Sequence, residues 1–152
     1  MKGLLYMKKR EEEAKRWYLQ ALYDLKAAKW NKEGEFFETA CFLSQQASEK
    51  VLKSFLYFTG ASRETLLTHS IFEMAVHGQK HLDAMREILE YARELDLHYV
   101  PSRYPNGLPS GYPHSFYSGQ TALNAINSAE KIFNIVRAFY EEKGLRHLWE
   151  DG

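Results

Sequence analysis

The chain has 152 residues, a single cysteine, and twenty basic against twenty acidic side chains. That length suits one domain with a real core. The charge balance excludes a global field that would draw the chain onto nucleic acid or an anionic membrane, so any anion site must be local.

Lone Cys41 excludes an internal disulfide framework and fits a reducing compartment, with the thiol as a small buried side chain. No apolar run approaches membrane-spanning length. The opening Met1-Lys2-Gly3-Leu4-Leu5-Tyr6-Met7-Lys8-Lys9-Arg10 has too short an apolar stretch for a signal peptide. The expected setting is cytoplasmic, with residues 1–9 as a frayed or partner-binding arm.

From Arg10 to about Asn31, Ala14, Trp17, Tyr18, Ala21, Leu25 and Ala28 recur at helical spacing, and Glu11, Glu12 and Glu13 suit the positive end of a helix dipole. Asp24 falls near the inner face, as a solvated or hydrogen-bonded edge carboxylate. Asn31-Lys32-Glu33-Gly34 turns the chain into a second helix, Phe36 to Phe58, which stops at Thr59-Gly60. Its apolar arc, through Phe36, Ala40, Leu43, Ala47, Val51, Phe55 and Phe58 with a second edge at Phe37, Cys41, Leu52 and Leu56, is wide enough to touch several neighbours. Gln46, Lys50 and Lys53 form a polar stripe beside that arc. Lys53 lies i, i+4 from Glu49 and equally suits an ordinary surface ion pair.

Ser70-Ile71-Phe72-Glu73 is a capping box that opens a third helix, with His69 just before the cap. Gly78 breaks it, and a fourth runs to Leu95 on Leu82, Met85, Leu89 and Ala92. His77 and His81 have a metal-pair spacing but no suitably spaced third ligand, so no metal site is expected. Residues 96–117 form one long irregular segment rich in Tyr, Pro and Gly, a length that usually signals function. Ser115 or Ser118 caps the last helix, whose inner face is Ala122, Ala125, Ile126, Ala129, Phe133, Val136 and Tyr140, and which stops near Gly144. The tail Leu145–Trp149 reads as a loose end or a surface that packs on a partner chain. The pattern predicts an all-α, up-and-down bundle of about five helices with one long loop before the last, a single domain over 1–152 with its core at about 10–143.

Three blocks carry a resemblance. Gln45-Gln46-Ala47-Ser48-Glu49-Lys50-Val51-Leu52-Lys53, Thr68-His69-Ser70-Ile71, and Leu95-Asp96-Leu97-His98-Tyr99-Val100-Pro101-Ser102-Arg103-Tyr104-Pro105 look like the blocks of HEPN domains (higher eukaryotes and prokaryotes nucleotide-binding), in that family's order and spanning about Trp17 to Val136. The resemblance implies a nucleotide- or RNA-binding helical module without a cofactor. It further implies a homodimer, one that works beside a separate minimal nucleotidyltransferase chain.

If successive helices alternate in direction, His69, Asp96, Tyr99, Arg103, Tyr104 and His114 gather at the end of the bundle where the second helix finishes. An Arg offers a planar fork to phosphate, a Lys a point charge, and a Tyr a face for a base. On that basis Gln46, Lys50, Lys53, Asp96, Tyr99 and Tyr104 are ligand-binding candidates, and His69, Arg103 and His114 catalytic ones. The alternative is that Arg103 pairs with Asp96 while the Tyr rings pack the loop.

Two further readings stand beside binding: a metal-independent, toxin-like endoribonuclease, and a structural partner subunit. Many HEPN nucleases have an Arg followed by a His after four to six residues at the head of the final helix. Here Arg103 is followed by Tyr104 and Pro105, and His114 comes only after ten intervening residues, which counts against catalysis. Arg63 and His69 have the spacing but precede the third helix.

Overall fold

The computed structural model describes residues 2–148 and Glu150. Three long helices carry the bundle: α1 (Lys2–Glu33), α2 (Phe37–Thr59) and α7 (Gly119–Glu142). Between the last two lie α3 (Arg63–Leu67), α4 (Ile71–Gly78), α5 (Leu89–Asp96) and α6 (Pro113–Phe116), with short 3₁₀ turns at Asp83–Ile88, Pro105–Gly107 and Arg146–Leu148. Among the described residues there is no strand, and no helix is long and apolar enough to cross a membrane. The fold is the expected all-α bundle. Its five rods are α1, α2, α4, α5 and α7; the single turns α3 and α6 have no periodicity to announce them.

One layer shows how the long helices lock. Ser54 Oγ on α2 donates to the Ala14 carbonyl on α1 at 2.6 Å and lies 2.7 Å from the Tyr140 hydroxyl on α7. All three residues are fully buried, so each polar group must find its partner inside the protein. Around them Tyr18 meets Phe133 and Tyr140 edge to face, and Phe55 and Phe58 meet Phe139 in the same way. Burial pushes the Tyr140 and Tyr18 hydroxyls up from their ordinary pKa, so both stay protonated donors.

The contacts also fix directions. Arg10 lies against Gly60 and Lys50 reaches Asp24, so α2 returns antiparallel to α1. Gly119 lies against Phe37 and Tyr140 against Ser54, so α7 runs parallel to α2 rather than opposite to it. The simple alternation expected from short loops therefore fails by one traverse. Residues 61–69, with only one turn of helix, climb back along α2 until Gln45 Nε2 donates to the His69 carbonyl at 3.5 Å. From there α4 descends to place Gly78 against Phe55, and α5 ascends again to bring Asp96 to the head of α4. The long segment after α5 thus lies along the first half of α2, not at its end.

Other expectations change for local reasons. α1 is helical from Lys2, because Leu4, Leu5, Met7, Lys8, Lys9 and Arg10 are good helix formers even where nothing packs on them; Glu11, Glu12 and Glu13 are therefore mid-helix. Ser118, not Ser115, caps α7 by accepting from Thr121 N–H. The tail is not loose up to Leu148, which is fully buried, while His147 reaches Glu11 at 3.2 Å; Trp149 lies outside the described residues.

Candidate functional site

One stripe of α2 organises the polar residues. Glu38, Phe42, Gln45, Glu49, Lys53, Tyr57 and the terminal Gly60 follow one another at spacings of three or four, which places them along one side of the helix. The stripe is flanked by α1 on one side and by residues 68–69 and 97–104 on the other.

At its centre the Glu49 carboxylate, 5% exposed, touches two cations or potential cations. Its Oε1 lies 3.1 Å from His69 Nδ1 and its Oε2 lies 3.4 Å from Lys53 Nζ. Lys53 is itself only 8% exposed and sits over the Trp17 ring, with Nζ 5.3 Å from the centroid. This is a buried pair, not the exposed i, i+4 pair that the spacing allows. The His69 side chain, by contrast, is 59% exposed. Its Nδ1 is held from inside, which leaves Nε2 for a partner outside.

Tyr99 connects this imidazole to the guanidinium of Arg103. The His69 and Tyr99 rings stack with centroids 5.3 Å apart and planes inclined by 18°, and Arg103 Cζ lies 4.7 Å from the same phenol ring. Arg103 is also 4.5 Å from the Phe42 ring and 5.1 Å from Tyr104. Its Nε donates to the Tyr99 carbonyl at 2.8 Å. Three rings and a carbonyl therefore hold one guanidinium, a restraint that suits its flat, weakly hydrated face.

The remaining candidates separate. Asp96 accepts from Ser70 Oγ (2.8 Å), Ile71 N–H (2.7 Å) and Phe72 N–H (3.1 Å), so it closes the N-terminus of α4. With both oxygens occupied it is neither a ligand group nor a partner for Arg103. Lys50 forms an ion pair with Asp24 on the α1 side, where Gln20 also donates to Asp24 at 2.9 Å. It opens into a groove of about 660 Å³ between α1 and α2, beside Trp17, Tyr23 and Tyr57. Gln46 is engaged by its neighbour Gln45 at 2.8 Å. His114 lies at the start of α2, with Nδ1 2.9 Å from Glu38 Oε1 and its ring beside Phe36. It shares the stripe with His69 but stands nearly three turns of helix away.

Two participants were not legible as such. Glu49 reads as half of a surface pair, and Phe42 as one more core residue. The available signal was an acidic residue on the same three-four spacing as Phe42, Lys53 and Tyr57. Beneath the site, His98 Nδ1 lies 3.1 Å from the Tyr117 hydroxyl. Burial lowers the pKa of His98 and pushes Tyr117 up to about 12.

A compact α-bundle with a restrained Arg–Tyr–His strip on one flank defines a class of small helical binding modules. The chain belongs to the HEPN family: the HEPN domain model matches residues 14–142. It is 25% identical over 142 residues to the Methanocaldococcus jannaschii protein named "Putative toxin MJ1304", covering 89% of this chain and 93% of that one. Among solved structures it resembles TT1696 from Thermus thermophilus, with 30% identity and a TM-score of 0.77 over 83% of this chain and 97% of that one. It also resembles ST0689, described as an archaeal HEPN homologue, with 36% identity and a TM-score of 0.69 over 83% and 96% of the two chains.

Proposed function

We propose that this HEPN module binds the phosphate and base of a nucleotide or of RNA on the Arg103–Tyr99–His69 strip. The observation that carries this reading is the shared Tyr99 ring, with an imidazole stacked on it and a guanidinium packed beside it. No carboxylate among the described residues pairs with Arg103, so its terminal nitrogens are available for a phosphate. Tyr104, half exposed, offers a further face for a base. The test is a thermal-shift panel of nucleotides and short RNAs against wild type and Arg103→Ala. A ligand that binds only the folded wild type raises its melting temperature by mass action. Equal responses of the two proteins would remove the reading.

A second reading, metal-independent endoribonuclease, is favoured by the Glu49–His69 pair and by the toxin name of the relative. A buried carboxylate that fixes Nδ1 leaves Nε2 to take the proton from a ribose 2′-hydroxyl. That oxygen then attacks the adjacent phosphorus, the bond to the 5′-oxygen breaks, and a 2′,3′-cyclic phosphate forms while Arg103 stabilises the charge. Incubation of structured RNA with chelator checks it: cleavage lost in His69→Ala supports it, and intact RNA rejects it.

We place the module in the cytoplasm as a homodimer beside a separate minimal nucleotidyltransferase chain. What supports a partner face is the group of half-exposed rings Phe36, Tyr112 and Phe116 near the start of α2 and in and around α6. Sedimentation of the isolated chain, alone and co-expressed with such a transferase, tests both contacts.

A further inference from the structure

The far end of the α2 stripe carries a second group of cations that the site above does not use. The first turns of α1 project past the end of α2, and a groove of about 480 Å³ opens there between α1 and α3, lined by Tyr6, Lys9, Arg10, Tyr57, Arg63 and Leu66 among others. None of its three cations has an ion-pair partner among the described residues. The one acid that also lines it, Glu13, already holds Arg16 at 2.7 Å.

Arg10 is the fixed member. Its guanidinium covers the Tyr6 ring at 4.3 Å and lies against Gly60, whose absent side chain would come within 2.2 Å of it. Gly60 also has φ +77°, so the position is closed to other residues twice over. Arg10 Nε is buried without a hydrogen-bond partner, an expensive state for part of a charged group. Beside it Tyr57 stacks on Trp17, with centroids 5.7 Å apart and planes 23° apart. The order along the stripe is therefore Arg103, Tyr99 and His69, then Lys53 with Trp17, then Tyr57, Tyr6 and Arg10. From Phe42 to Gly60 this spans about 27 Å at 1.5 Å per residue.

We propose that Lys9, Arg10 and Arg63 form a second anion site that holds the distant phosphates of a single-stranded nucleic acid whose other end lies on Arg103. Alternating cations and rings are what a flexible strand needs, since every base has a face to stack and every linkage a charge. A mononucleotide reaches only one end of such a track. This inference rests on the reading of the Arg103 strip as a phosphate site and adds the length and strandedness of what it takes.

The experiment is fluorescence anisotropy with a labelled dinucleotide and a labelled unstructured decanucleotide of RNA, across a salt series. The proteins are wild type, Arg103→Ala, the exposed pair Lys9→Gln/Arg63→Gln, and Arg10→Gln, each checked for folding by circular dichroism. The Lys9/Arg63 pair is expected to weaken decanucleotide binding and to lower its salt slope by about two, one per lost phosphate contact, with the dinucleotide unchanged. Arg10→Gln acts in the same direction; if it unfolds, the exposed pair alone decides. Equal affinity for the two lengths, or no effect of the pair, overturns the inference while leaving the Arg103 site intact. Indifference of both oligonucleotides to Arg103→Ala overturns the Arg103 reading itself, and this inference with it. Displacement of the decanucleotide by decaglutamate as readily as by unlabelled RNA overturns it in favour of an acidic peptide.

Discussion

Glu49 holds His69 from beneath: the carboxylate is buried in α2, the imidazole stands at the surface, and 3.1 Å separates them. The same carboxylate lies 3.4 Å from Lys53, which has almost no water of its own. Glu49 therefore links the stability of the bundle to the orientation of the one exposed ring in the candidate site.

Glu49→Ala should cost about 3 kcal/mol of stability, because it leaves a lysine charge buried without a counter-charge. Replacing both partners, as Glu49→Gln with Lys53→Met, should recover most of that loss, since removing a buried pair together is far milder than removing half of it. Urea midpoints of the single and double variants decide the matter. A single variant as stable as wild type would mean the two groups do not depend on each other.

Asp96 and Arg103 should behave in opposite ways. Asp96→Ala removes three hydrogen bonds at the head of α4 and should cost about 1–2 kcal/mol of folding stability, the usual range for a lost helix cap. Arg103→Ala should leave the urea midpoint nearly unchanged and weaken nucleotide or RNA binding by about 1.5–3 kcal/mol, as loss of a charge-assisted bond does. Paired unfolding and titration measurements on the two variants test the division.

Tyr99 is expected to act through its ring and not its hydroxyl. Tyr99→Phe keeps the surface on which His69 stacks and Arg103 packs, and should bind ligand within about twofold of wild type. Tyr99→Ala frees both groups and should weaken binding by about 1 kcal/mol or more, the scale of a lost base or cation contact with an aromatic face. Isothermal titration with the ligand found in the thermal-shift panel separates them.

Stability should fall as the solution is made acidic through the histidine range. Burial lowers the pKa of His98 in the folded protein, so the unfolded chain binds its proton more readily. The contribution is complete above the unfolded value of about 6.5 and is lost as pH falls from there toward the folded value. Urea unfolding at neutral and mildly acidic pH should show this slope in wild type and a smaller one in His98→Gln.

Cys41 should resist alkylation. Burial, with a smaller contribution from the Glu38 charge, pushes its thiol up to about 12, so hardly any reactive thiolate exists at a pH of about 8. Iodoacetamide should label it only after denaturant is added; rapid labelling of the folded protein would contradict its burial.

The periodicity of Ala14, Tyr18, Ala21 and Leu25, and the wide arc of α2, fix the long helices and their inner faces, because burial of apolar side chains at a 3.6-residue repeat is a local property of the chain. The capping box at Ser70 is equally local. Direction is not: whether α7 runs with or against α2 depends on where residues 61–69 and 97–118 travel, and those segments have few apolar positions to betray their path. For the same reason the sequence placed Arg103, Tyr99 and His69 near one another through family blocks but at the wrong level of the bundle. It could not tell that Asp96 turns inward to close α4, that Lys50 is already matched by Asp24, or that Glu49 supports His69. A charged side chain keeps the same letter whether it faces water or a counter-charge, and only the packing of distant segments determines which of the two it meets.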